Sequence, residues 1–219
     1  MSTTLPITPS TPSAAPIAWM PLPRLDESSA GLLMTPEEFD AITDYDDCFH
    51  YELIHGVLVV NPIPGEGQAS PNDELGHLLR TYKQRHPQGA ALDTTMPERY
   101  VRTLGSRRLA DRVIWAGMGR LPSPKVDVPQ IVVEFVSAGK RSWQRDYIEK
   151  RREYADVGVQ EYWIVDRFRR AMTVVRNTKT GAQELVVGAQ EIYRTELLPG
   201  FELPIASLLA EADIWENPS

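Results

Sequence analysis

The sequence predicts a single α/β domain, one sheet with helices packed on it. Three observations carry that prediction. Residues 131–136 and 162–165 are nearly continuous apolar runs, as expected of central strands covered on both faces. Between them, residues 143–156 form a charged stretch suited to a crossover helix. Shorter strand-like segments and an amphipathic helix precede this unit, and a hairpin follows it. The 219 residues suit one domain with a sizeable core.

Each element has a local reason. Six prolines between Pro6 and Pro23, mixed with Ser and Thr, resist helix and sheet, so residues 1–30 read as a flexible tail. Thr35-Pro36-Glu37-Glu38 supplies a capping hydroxyl, proline at the first helical position and a glutamate three residues after the cap, predicting a helix over about 35–43. Residues 51–60 read as two strands turning at His55-Gly56, and 61–67 as a loop. Leu75, Leu78, Leu79 and Tyr82 share a helical face over 72–85, which His86-Pro87 stops. Strands follow at 100–101, 113–115, 131–136 and 162–165, then a hairpin of 172–175 and 184–187 around Lys179-Thr180-Gly181. Residues 201–210 predict a strand end and short helix, closing a domain over 31–212, with 213–219 as a C-terminal tail.

Charge and composition exclude several classes. With 23 Lys and Arg against 30 Asp and Glu, the net charge is −7, which argues against a protein that coats nucleic acid by bulk charge. A lone cysteine, Cys48, rules out an internal disulfide or a Cys-rich zinc site and fits a reducing, cytoplasmic setting. No apolar stretch approaches the ~18 residues of a membrane span, and the N-terminus lacks the features of a secretory signal. The charge is unevenly placed, however. Residues 99–179 hold 18 of the basic residues and nine acids, a net +9, leaving −16 elsewhere. Solvated helix faces explain this as well as a local basic surface for phosphodiesters does.

Within that segment Asp111 precedes a strand and Glu134 lies inside one. A carboxylate in a central strand needs a cationic partner or a metal. Two such groups on neighbouring strands suit a hard cation bound through oxygen, and equally an acid paired with an arginine such as Arg112. Asp146, Lys150 and Tyr154 are four apart and share a helix face, so Lys150 can turn toward the acids or simply pair with Asp146 at the surface. Glu52 is a third candidate carboxylate, or an acid on a strand face beside His55. The four histidines show no zinc spacing, and neither a phosphate-cradling glycine loop nor a G-x-S-x-G elbow is present. Trp143 and Trp163 read as core or rim residues rather than base-stacking platforms.

These residues occur in a recognisable order. Thr35-Pro36-Glu37-Glu38-Phe39, Tyr51-Glu52-Leu53-Ile54-His55-Gly56, Asp111, Val133-Glu134-Phe135-Val136-Ser137, Asp146 with Lys150 and Tyr154, the run from Gly158 to Asp166 (G-V-Q-E-Y-W-I-V-D) and Leu198-Pro199-Gly200-Phe201 together resemble the Uma2 family, also called DUF820. The resemblance spans about residues 33–210. It implies a PD-(D/E)XK core: a restriction-endonuclease-like mixed β-sheet flanked by helices, with Mg²⁺ or Mn²⁺ at the acids. Asp111 matches the family's aspartate, Glu134 its glutamate, Lys150 a lysine moved from strand to helix, and Glu52 a glutamate that joins the site. Ala110 stands where the family usually has proline, and Asn72-Asp73 stand in the region of a His-Gln pair.

The expectation is therefore a metal-dependent endonuclease acting on DNA. Asp111 and Glu134 bind the metal, Glu52 assists and Lys150 steadies the transition state. Arg107, Arg108, Arg141 and Arg145 are the candidate phosphate contacts, because guanidinium groups meet phosphate oxygens in bidentate fashion. A homodimer would suit a two-strand cutter. The second reading is a catalytically silent nuclease-fold module that binds nucleic acid or a protein. A glycosidase built on the two acids ranks last, since it gives Lys150 no role.

Overall fold

The computed structural model describes residues 23–138 and 143–216. Helix α1 (Pro36–Ala41) starts as its sequence dictates. The Glu38 amide donates to Thr35 Oγ1 at 3.1 Å, and the Thr35 amide donates to Glu38 Oε2 at 2.7 Å. Strands β1 (Phe49–Ile54) and β2 (Val57–Pro62) form the predicted hairpin. Both turn residues, His55 at φ 49° and Gly56 at φ 81°, are left-handed, the geometry that matches the twist of a two-residue hairpin.

Helix α2 (Glu66–Arg85) begins at Glu66 rather than at residue 72, with Pro71 inside it. Proline at the sixth position gives up one backbone bond and its ring crowds the carbonyl a turn earlier, yet the helix continues through it. Strands β3 (Leu92–Thr103) and β4 (Ser106–Ala116) make a long hairpin, followed by β5 (Ile131–Phe135). A π-helical turn, Arg145–Glu149, leads into α3 (Lys150–Asp156). Strands β6 (Glu161–Asp166), β7 (Ala171–Thr178) and β8 (Gly181–Gly188) follow, then the small pair β9 (Ile192–Tyr193) and β10 (Leu203–Pro204), and finally α4 (Ile205–Glu216).

The main sheet runs β2-β1-β4-β5-β6-β7-β8, with β3 added alongside β4. Its neighbours are antiparallel except β5 and β6, which α3 joins as a crossover. Both of these strands are buried along their whole length, as their apolar runs predict. Helices α2 and α4 cover one face over a core that includes Leu79, Ile114, Val133, Trp163 and Leu208. Helix α3 covers the other face over Val113, Val132, Tyr154, Tyr162 and Ile164. Leu25, within the span read as tail, is buried beside Phe39 and Tyr51. No described helix is long and apolar enough to cross a membrane.

Leu79 is fully buried at the centre of the α2 face. Leu79→Ala is expected to lower unfolding free energy by about 2–5 kcal/mol in urea titration. A loss well under 1 kcal/mol would show that α2 does not carry that core.

Candidate active site

The site forms where the sheet splits. Along one edge of β4, Arg107 pairs with Leu53 of β1, and Arg112 to Ile114 pair with Val133 to Ile131 of β5. Residues 108–111 lie between these two strands without a ladder partner on that edge. Buried backbone groups need substitutes there, and carboxylates supply them. The Leu109 amide donates to Glu52 Oε1 at 3.0 Å, and the Phe135 amide donates to Asp111 Oδ2 at 2.6 Å. Extending the β4–β5 register by one residue sets Asp111 opposite Glu134.

β3 and β4 both change face here. Ala110 and Val113 pack into the same α3-side core despite opposite parity, as do Met96 and Val101. Strict alternation forbids this, so the side chains of both strands switch faces between those pairs while the β3–β4 register stays unbroken. Glu98, in left-handed backbone at φ 48°, falls opposite Asp111 at that point. Arg112 thereby reaches the α2 face, where it donates to Asn72 Oδ1 at 2.7 Å and to the Asn72 carbonyl at 2.8 Å. Gly76 makes room for its guanidinium, since a Cβ there would lie 2.7 Å from Arg112 Nη2. Asn72 in turn donates to the Asp111 carbonyl at 2.9 Å, tying α2 to the fork.

Lys150 enters from the opposite side. The π-helical turn carries Arg145 to the cleft and Asp146 beneath it, and Lys150 follows at the start of α3. Lys150 Nζ lies 2.7 Å from Glu134 Oε2, 3.7 Å from Asp146 Oδ1 and 3.9 Å from Glu52 Oε1. Tyr154, one turn on, donates its hydroxyl to Glu134 Oε1 at 2.9 Å. The surface Asp146–Lys150 pair allowed by spacing is therefore not what forms; the lysine is 2% exposed and faces the carboxylates. Arg145 Nε donates to Asp146 Oδ1 at 3.0 Å, and Asp146 Oδ2 is buried with no hydrogen-bond partner.

Glu52, Asp111, Glu134, Arg145 and Lys150 line a cleft of about 390 Å³ that also includes Asn61, Gln68 and Ser137, with Asp146 and Tyr154 buried behind it. Four carboxylates (Glu52, Asp111, Glu134, Asp146) face two cations, Lys150 and Arg145. Desolvation raises Asp111 to about 6 against the pull of Lys150, and raises Glu134 to about 8, with Asp111 and Asp146 adding repulsion. Lys150 is held charged: burial lowers its pKa, but Glu134, Glu52 and Asp146 raise it further. A hard divalent cation fits this donor set, because all the groups offered are carboxylate oxygens and negative charge exceeds positive. Among the described residues, the one set of three acid or thiol groups with ligand atoms all within 4.8 Å of one another is Asp46, Asp47 and Cys48, in a turn away from this cleft; the cleft carboxylates stand farther apart than that.

The fold brings Glu52, Asp111, Glu134, Lys150 and Arg145 together around one opening. It does not bring Arg107 and Arg108 there. Both are buried, Arg107 against Asp40 at 2.9 Å and Arg108 by two donors to Glu153. They brace α1 and α3 against β4; Arg108 Nη1 has no hydrogen-bond partner but is itself buried, so the phosphate contact expected of these two arginines has no exposed guanidinium to make it. Arg141 lies outside the described residues. Sequence reading missed Asn61, which donates to Glu52 Oε2 at 3.2 Å, and Gln68, which donates to the Phe135 carbonyl at 2.9 Å and to Ser137 Oγ at 2.7 Å. Nothing in their local sequence marks them. Asn72 and Tyr154 had been noticed by position, but their partners are distant in the chain.

Fold and cleft together define an α+β protein, a mixed sheet flanked by helices with an acidic cleft at its fork. A solved structure described as a "putative nuclease belonging to DUF820", from Anabaena variabilis ATCC 29413, superposes with a TM-score of 0.64 at 14% identity, covering 82% of this chain and 99% of that one. The sequence pattern of the Uma2 family, described as "Putative restriction endonuclease", matches residues 36–206, and the chain belongs to that family. No functionally curated protein matches it.

Two outcomes follow from the buried charges. Both raised carboxyls hold protons in the native state that unfolded carboxyls, with pKa near about 4, have already released. The contribution of these two groups to the stability of metal-free protein is thus full below about pH 4 and falls as pH rises toward about 8. Urea midpoints in chelator should drop between these limits, and Glu134→Gln should flatten the dependence; a flat wild-type profile would contradict the assignment. Separately, Lys150→Met should destabilise by about 3–5 kcal/mol by stranding Glu134, and adding Glu134→Gln should recover part of that loss. Additive effects in the double mutant would mean that the two side chains do not interact.

Proposed function

We propose that this chain is a metal-dependent endonuclease that hydrolyses DNA phosphodiester bonds. One observation carries the reading: a buried lysine meets Glu134, Asp146 and Glu52, at a cleft that Glu52, Glu134 and Asp111 line together. Asp111 and Glu134 would hold Mg²⁺ or Mn²⁺, with Glu52 assisting. Such an ion, when bound, lowers the pKa of a water and polarises the phosphoryl oxygen. Lys150 cannot serve as a base while it is held charged. Its ammonium instead stabilises negative charge that grows on the phosphate as water attacks phosphorus and the P–O bond breaks. Tyr154 fixes the far oxygen of Glu134, and Gln68 fixes Ser137 at the cleft wall. Arg145, a quarter exposed and lining the cleft, remains available to a phosphate from the predicted set.

A second reading draws on one feature: Lys150 and Tyr154 already engage both oxygens of Glu134. A binding module without catalysis could keep such a self-satisfied core.

The two separate in one assay. Purified protein with Mg²⁺ or Mn²⁺ should cleave plasmid or oligonucleotide DNA and stop in chelator. Asp111→Asn, Glu134→Gln and Lys150→Ala should each lower the rate by about 100-fold or more. DNA left intact across metals and salt, or cleavage that survives the carboxylate variants, would reject the nuclease reading.

A further inference from the structure

With Arg107 and Arg108 committed to the interior, Arg145 is the one described arginine of the predicted set that lines the cleft. A different surface has further chemistry suited to nucleic acid. The turn joining β6 to β7 reads Arg167-Phe168-Arg169-Arg170, and its Phe168 is 50% exposed. The turn is rigid at its base. Buried Asp166 accepts the Phe168 and Arg169 amides at 3.0 Å each through Oδ1, and the Tyr147 hydroxyl at 3.1 Å through Oδ2. Trp143, 43% exposed, stacks on Tyr147 with centroids 5.3 Å apart and planes 20° apart. The Arg169 guanidinium lies 5.7 Å from the Tyr147 ring centre, and that of Arg167 lies 4.7 Å from the Phe168 ring centre.

This surface adjoins the cleft. Trp143 and Tyr147 flank Arg145 and Asp146 in the helical segment that reaches the carboxylates. Arg167 shares a crevice with Gln68 and Phe135, both of which also line the cleft. Tyr147 is half-buried and backs Trp143, while the exposed Trp143 and Phe168 rings beside arginines are a poor solution for a surface that meets only water. They suit a polyanion that carries flat rings, because unpaired bases stack on aromatics while guanidinium groups meet the backbone. In a duplex the base faces are hidden inside the stack, so a ring platform gains nothing from them.

We propose that Trp143, Phe168 and Arg169, with Tyr147 supporting Trp143 from below, form a stacking platform for unpaired nucleobases, and that the substrate presents a single-stranded segment beside the cleft. The proposal deepens the nuclease reading and rests on it for the link to cleavage; binding is measured without metal so that the two stand or fall separately.

The test is fluorescence anisotropy of the full chain with labelled oligothymidylate in chelator, with a duplex of equal length as competitor. Trp143→Ala and Phe168→Ala should each weaken single-strand binding about tenfold. Trp143→Phe, which keeps a ring, should retain most of it. Arg169→Ala should reduce the slope of log affinity against log salt by about 0.7. Thermal midpoints of these exposed-site variants should match the wild type, which excludes unfolding as the cause. Alanine variants that bind as tightly as wild type would overturn the platform, as would duplex competing on equal terms or no binding of either oligonucleotide. Single-strand binding lost in the alanine variants, together with no cleavage by wild type, would keep the platform and reject the nuclease. Cleavage with unchanged binding would do the reverse.

Discussion

One strand edge shared between two partners governs the centre of this molecule. β4 pairs with β1 at one end and with β5 at the other, and the stretch between them has unladdered backbone. In a buried sheet such groups must be satisfied. Glu52 and Asp111 do so by accepting the amides of Leu109 and Phe135, and Asn72 donates to the Asp111 carbonyl. The acids are therefore structural components of the fork as well as chemical groups in the cleft. Once they are there, their charge dictates the rest. Lys150 must be buried to offset Glu134, and α3 must be placed so that the lysine reaches it.

The same balance explains the arginines. A segment of net +9 suits a surface for an anion as well as it suits solvated helix faces. In the fold, many of its charges turn inward or find acids nearby: Arg107 with Asp40, Arg108 with Glu153, Arg112 with Asn72, Arg120 with Asp127, Arg176 with Glu161. Positive charge in the chain and positive potential at the surface are thus different quantities here. What stays exposed near the cleft is concentrated around Arg145 and the β6–β7 turn, where aromatic rings accompany it.

The most recognisable run of the sequence, 158–166, is mainly scaffold. Gly158, at φ 93°, ends α3 in a conformation that suits glycine. Glu161 accepts Trp163 Nε1 and the hydroxyls of Tyr193 and Thr195, pinning the β9 region to the sheet. Asp166 builds the turn that presents Phe168. None of these residues lines the cleft. A family signature can mark the positions a fold cannot lose rather than the groups that perform chemistry.

Much of the architecture was legible in the sequence because it follows from local rules. Thr35 and Glu38 fix the start of α1, His55-Gly56 fixes a hairpin, and the apolar runs of β5 and β6 require burial on both faces. Resemblance also singled out Asp111, Glu134, Lys150 and Glu52, which the fold gathers at one opening. Local rules failed where distant partners decide. Pro71 was accommodated inside α2, the faces of β3 and β4 switched at Glu98 and Asp111, and the destinations of Arg107 and Arg108 were set by Asp40 and Glu153. The sequence by itself determined which groups carry charge and where chain segments must be covered. Only the tertiary structure decided which charges meet, because burial and pairing depend on through-space distance, and the spacing of residues along one chain does not encode it.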